Sequence, residues 1–137
     1  MREDTIGKDI AQIEDATIRK ACELLRDYNG RIDTYLAEIV ASLCNVNVEH
    51  LLTVTNRPQY AHARWFYWYS YRHMTGEDYN VIVSLMRPYR KYSRSMVEYA
   101  MGRMAVMVSN EPIWMKRWGI MKSVITIILS NNEILRK

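Results

Sequence analysis

Apolar side chains recur along this chain at three- and four-residue intervals, and the rhythm breaks only where helix-stopping residues stand. Ile6, Ile10, Ile13, Thr17, Ala21, Leu24 and Tyr28 trace one face of an amphipathic helix, with charges such as Glu14, Asp15, Arg19, Lys20, Glu23 and Arg26 on the rest. Residues 1–5 read as frayed, and Asn29-Gly30 is a stop. Asp33 or Thr34 caps a second helix, whose Leu36, Ile39, Val40 and Leu43 face inward. Asn45-Val46-Asn47 is a turn, and Asn47 caps a short segment, Val48 to Leu52.

Thr53 to Tyr60 reads as a loop, because a residue preceding proline, here Arg57, is steered away from helix. Helix resumes near Ala61, runs to Met74 and is closed by Thr75-Gly76. Asp78 caps the next helix, with Tyr79, Ile82, Val83 and Met86 as its apolar stripe and Pro88 as its stop. Ser93 or Ser95 caps the one after, where Ser95-Met-Val-Glu98 has capping-box form and Val97, Ala100, Met101, Met104 and Val108 point one way. Asn110-Glu111-Pro112 opens a last helix lined by Trp114, Trp118, Met121, Ile125 and Ile128. The β-branched run Ile125-Thr-Ile-Ile128 suits a strand equally well, but no other segment looks like its partner. The expectation is an all-α bundle of about six or seven helices. Residues 1–31 form an N-terminal amphipathic helix, 32–130 a helix-turn-helix domain and 131–137 a tail.

With 137 residues, 49% of them hydrophobic, the chain buries one core. Ten Tyr, four Trp and nine Met supply its volume. Cys22 and Cys44 have neither metal-ligand nor redox spacing and read as two buried reduced thiols of a cytoplasmic protein. No N-terminal apolar run follows a basic start. The apolar stretch Ile120 to Leu129 is interrupted by Lys122 and falls well short of the roughly 20 residues that span a bilayer, so no membrane partner is expected.

Charge is unevenly placed. Residues 1–50 hold six basic and ten acidic side chains; residues 51–137 hold thirteen basic and five acidic. A basic half joined to an acidic one suits a polyanion-binding surface confined to one region. The densest cations lie between the helices that end at Met86 and begin near Ser93: Arg87, Arg90, Lys91 and Arg94, with Tyr89 and Tyr92 interleaved. A recognition helix puts its N-terminal residues nearest the bases while basic flanks pin the phosphates. Arg94 stands where a guanidinium reaches a guanine edge, Ser93 and Ser95 where hydroxyls meet a base or phosphate. A helix N-terminus itself attracts anions.

Val46 to Val108 also resembles a known family. Val48-Glu-His-Leu-Leu52, the loop after it, and Ala61-His-Ala-Arg64 are similar to the opening of the C-terminal DNA-binding domain of the bacterial replication initiator DnaA, a Trp-repressor-like helix-turn-helix. Tyr71-Arg-His-Met-Thr75 holds the place of that family's long-helix end, Val97 to Met104 that of its recognition helix, and Asn110-Glu-Pro112 the start of its last helix. The similarity spans roughly residues 39–125 and lies in spacing more than identity. It implies duplex-DNA binding, with Arg64 and Arg72 at positions that lie near the DNA backbone. The arginine-rich loop of the family keeps only Arg57, with His62 at its far end. Its base-reading run is replaced by Lys91-Tyr-Ser-Arg-Ser-Met96, in which Ser95 preserves a hydroxyl, and the turn is about three residues longer. No glycine-rich phosphate loop is present, so the initiator's ATPase module is not expected. A role in replication or transcription, as on a phage or other mobile element, follows from analogy alone.

The expected DNA-binding set is therefore Arg57, Arg64, Arg72, Arg87, Arg90, Lys91, Tyr92, Ser93, Arg94, Ser95 and Arg103. Within the aromatic run Trp65-Phe-Tyr-Trp-Tyr69, Trp65, Trp68 and Tyr69 are the core choices, and Arg64 and Tyr67 the surface ones. Such rings also suit stacking on single-stranded bases. The three histidines lack ligand spacing and no nucleophile cluster stands out, so neither a metal, a cofactor nor an enzyme is expected. The stripe from Ile6 to Tyr28 either covers the domain's own core or pairs with a second chain or protein partner. A scaffold that has lost base reading and grips a protein is the rival function.

Overall fold

The computed structural model describes the backbone of residues 2–28 and 30–130 and the side chains of those from Ala11 onward. Asn29, the side chains of Ile6 and Ile10, and the tail 131–137 lie outside the described residues. Seven helices follow in order among them: α1 (Arg2–Arg26), α2 (Ile32–Leu43), α3 (Val48–Thr53), α4 (Pro58–Thr75), α5 (Tyr79–Met86), α6 (Arg94–Asn110) and α7 (Pro112–Leu129). The all-α expectation holds, and the β-branched run is helical, with Val124, Ile125 and Ile128 buried along α7.

Local chemistry sets the boundaries. Asn47 is extended and its side chain accepts from the backbone N–H of Glu49 (2.8 Å) and of His50 (3.2 Å), which fixes the start of α3. The second helix begins earlier than predicted: Arg31, not Asp33 or Thr34, is its N-cap. Asp33 therefore sits in the first turn, where it complements the helix dipole and takes the Arg31 guanidinium at 2.9 Å. Helix α4 likewise starts three residues before Ala61. The proline that keeps Arg57 extended (φ −129°, ψ 127°) serves as the first helical residue, a position that needs no N–H donor. Gly76, at φ 71°, closes α4 in the left-handed conformation.

Helix α6 is capped by Ser93, whose hydroxyl accepts from the Met96 N–H at 3.1 Å. The predicted capping box of Ser95 and Glu98 does not form. Ser95 lies inside the first turn, its hydroxyl 3.2 Å from that of Ser93, and Glu98 turns to Arg94 instead.

Helix α4 is the centre of the packing, with α2, α3, α5 and α6 against it, while α1 lies on α2 and α7. Because neighbours approach α4 from several sides, its burial does not follow a single stripe. Phe66, Tyr67 and Trp68 are buried, while Trp65 and Tyr69 are half-buried and packed against the core. Trp68 is core as predicted, Trp65 and Tyr69 sit at its edge, and Tyr67, expected at the surface, lies inside it. Tyr67 reaches across to α2 and donates to the Asp33 carbonyl at 3.0 Å. Thr17 and Ala21 of α1 are fully buried, and the Ala21 carbonyl accepts from the Tyr35 hydroxyl at 2.9 Å, so the described part of α1 covers the chain's own core. Only one of the two free cysteines matches its predicted burial: Cys44 is buried and Cys22 is exposed.

Candidate nucleic-acid interface

Seven residues, Arg87 to Ser93, connect α5 to α6. Pro88 follows the end of α5 in a turn, where the N–H groups of Tyr89 and Arg90 both donate to the Met86 carbonyl at 2.9 Å. The chain reaches the extended Ser93 cap (φ −82°, ψ 157°) four residues on from Tyr89. Arg87, Arg90 and Lys91 of this turn are all exposed, as are Ser93, Arg94 and Ser95 at the head of α6. Four cationic side chains thus lie within eight residues beside an exposed helix N-terminus, an arrangement that attracts phosphates.

Arg94 is already engaged. Its Nε donates to Glu98 Oε1 at 2.7 Å and its Nη1 to Asp78 Oδ2 at 3.3 Å, and its guanidinium lies 5.7 Å from the centre of the Tyr79 ring. The Glu98 bond and the Asp78 charge hold its pKa above the ordinary value. Both ion pairs are half open to solvent. Exposed pairs of this kind are weak and screened by solvent, so they leave Arg94 able to exchange partners.

The outer face of α6 was not foreseen as a unit. At 100° per residue, Ser95, Tyr99, Gly102 and Val106 share the side opposite the buried Val97, Ala100, Met101, Met104 and Val108. Tyr99 is 65% exposed and Val106 55%. Gly102 adds no bulk between them, and nothing lies within 4 Å of where a side chain would start. Arg94 and Arg103, nine residues apart and so half a turn out of phase, stand at the two edges of this face. The signal was present in the sequence: Tyr99 and Val106 are large apolar residues out of phase with the inward stripe.

The remaining predicted positions divide. Arg57, at the α4 N-cap, is exposed. Arg64 is corrected outright. It is 3% exposed, its Nε donates to the Leu51 carbonyl at 2.9 Å and its Nη2 to the Val54 carbonyl, and it clamps the end of α3 to α4 instead of meeting phosphate. Burial lowers its pKa. Arg72 is half-buried, with its guanidinium 4.3 Å from the centre of the Tyr79 ring, where it braces α5 against α4. Tyr92 is also corrected: its ring is buried edge-on against Trp68 at 5.0 Å, so it anchors the basic turn to the core. Arg90 then packs over that ring at 5.8 Å.

Among the described residues no helix is long and apolar enough to cross a membrane, and no three His, Cys, Asp or Glu side chains lie together as a metal site. Comparison of the chain with protein-family models, curated proteins and solved structures finds no match.

Proposed function

We propose that this chain binds duplex DNA as a DnaA-like helix-turn-helix protein, with the outer face of α6 directed at the major groove. In this reading Arg87, Arg90, Lys91 and Arg94 neutralise phosphates or reach a base edge at the N-terminal end of α6. Ser93 and Ser95 offer hydroxyls, and Arg103 meets the backbone on the far side of the groove. Tyr99 and Val106 supply apolar contact of the kind that thymine methyl groups accept. Arg57 adds charge at the head of α4. The single observation that carries the reading is the exposed basic turn that runs directly into the exposed head of α6. A regulatory or replication-related role accompanies it by resemblance only.

One observation favours a second reading. Arg94 is tied to Asp78 and Glu98, and the outer face of α6 is largely uncharged, which suits a protein-interaction module on the same scaffold. Retention on duplex DNA separates the two. Combining Arg90→Ala with Arg94→Ala lowers duplex affinity at least tenfold if the turn grips phosphate; unchanged affinity favours the interaction module.

A further inference from the structure

Between α4 and the first two turns of α6 lies a slot of about 390 Å³, within the size range of small-ligand sites. Trp68 and Tyr92 are its buried floor, meeting edge to face at 5.0 Å. Trp65, Ser95, Met96 and Tyr99 form its rim, with Met96 48% exposed and Tyr99 65%. Four of these six side chains are aromatic, and no carboxylate lines the slot.

Two further facts narrow the occupant. The Trp68 indole N–H is buried with no acceptor in the protein, although a buried indole N–H normally has one. Cations adjoin the floor residue Tyr92: the Arg90 guanidinium lies 5.8 Å from the centre of its ring, and Lys91, next in the chain, is exposed. Aliphatic ligands are served by aliphatic walls. Aromatic walls beside a pair of cations match a flat ring that carries an anionic group.

We propose that this slot binds the base of an unpaired nucleotide, with the ring stacked among Trp65, Tyr92 and Tyr99 and its phosphate held by Arg90 and Lys91. The shared chemistry is that of a nucleoside monophosphate, either free or as one unpaired position of a strand. The slot shares Arg90, Lys91, Ser95 and Tyr99 with the surface proposed for the duplex, whereas Trp65 and Met96 belong to the slot alone and separate the two in the test.

The test uses 2-aminopurine, whose fluorescence falls when it stacks on aromatic rings. The probes are its free deoxynucleoside monophosphate, a single strand containing one such residue, and the same residue paired within a duplex. The expected result is saturable quenching of the free nucleotide or of the single strand. Quenching of the mononucleotide assigns a free ligand; quenching of the strand alone assigns an unpaired position. Trp65→Leu weakens binding about tenfold or more and Trp65→Phe restores most of it, with retention of plain duplex unchanged in both. Met96→Glu, at an exposed rim position, weakens binding by a similar factor without threatening the core. Absence of quenching with both unpaired probes overturns the proposal, and so does unaltered affinity in folded Trp65→Leu and Met96→Glu. Duplex retention is measured separately, so its failure strikes the duplex reading and leaves the slot standing.

Discussion

Arg94 holds Glu98 one turn along α6, Nε to Oε1 at 2.7 Å, on the edge of the face proposed to meet DNA. The pair places a carboxylate next to the cation best positioned for a base and makes Arg94 pay for every contact by first releasing it. Glu98→Gln removes the competing charge while keeping the side chain's size. Its expected effect is an increase in duplex affinity of about fivefold at low salt, fading as salt rises. Fluorescence anisotropy with a labelled duplex checks it; no change at low salt would mean that Arg94 never leaves Glu98.

Arg64 belongs to the fold and not to the interface. Replacing it with Met strips a charged donor from the Leu51 and Val54 carbonyls and uncouples the end of α3 from α4. The expected loss is about 3 kcal/mol of stability in urea unfolding. Duplex affinity under native conditions stays within about twofold of the parent. A large affinity loss with unchanged stability would return Arg64 to the DNA surface.

His62 lies between Trp65, at 5.1 Å between ring centres, and Trp114, at 6.3 Å. Burial holds its pKa below the ordinary histidine value of about 6.5, with Glu111 opposing the depression and Arg103 adding to it. Above pH 6.5 the group is neutral both folded and unfolded, and its environment contributes fully. As pH falls through 6.5 the unfolded chain takes up the proton first, and stability declines until the folded state is protonated too. Thermal midpoints measured from about pH 7.5 to 5.5 fall for the parent chain and fall less for His62→Gln. Equal slopes for the two would place His62 in an open setting.

The thiols give a check on the packing. Burial pushes the Cys44 thiol up to about 12, against a small opposing effect of Arg117. Native protein is expected to react with a thiol reagent at Cys22 alone, and at both cysteines once unfolded. Fast native modification of Cys44 would mean that the end of α2 opens readily.

The element order was legible because its signals are local. Asn47, Thr75-Gly76, Pro88 and Glu111-Pro112 each act within a turn or two, and each stands at a boundary in the structure. Arg57-Pro58 shows where a local rule has two outcomes: the same proline that excludes helix before it begins one after it. The aromatic helix was legible as central, but not which rings point inward. That depended on α2, α3 and α6 approaching α4 from different directions, a tertiary fact with no trace in a single periodicity. Arg64 was misplaced for the same reason, since its two carbonyl partners lie ten and thirteen residues away in sequence. The basic turn was readable as a site candidate because adjacent residues bring their own charges together. The Glu98 partner of Arg94, four residues along the same helix, was within reach of the spacing but was assigned to a capping box with Ser95. The Asp78 partner was not, because nothing in the spacing of Asp78 and Arg94 signals that the turn folds back to join them.

The central claim is that the exposed turn ahead of α6 grips the phosphates of a duplex. The most direct test is the dependence of duplex affinity on salt, for the parent chain and for the triple variant Arg87→Ala, Arg90→Ala, Lys91→Ala. Each neutralised phosphate contributes about −0.9 to the slope of log affinity against log salt. Four contacts from Arg87, Arg90, Lys91 and Arg94 predict a slope of about −4 for the parent, and one shallower by about 3 for the variant. A parent chain that is not retained on duplex at low salt, or a variant whose slope equals the parent's, would contradict the account.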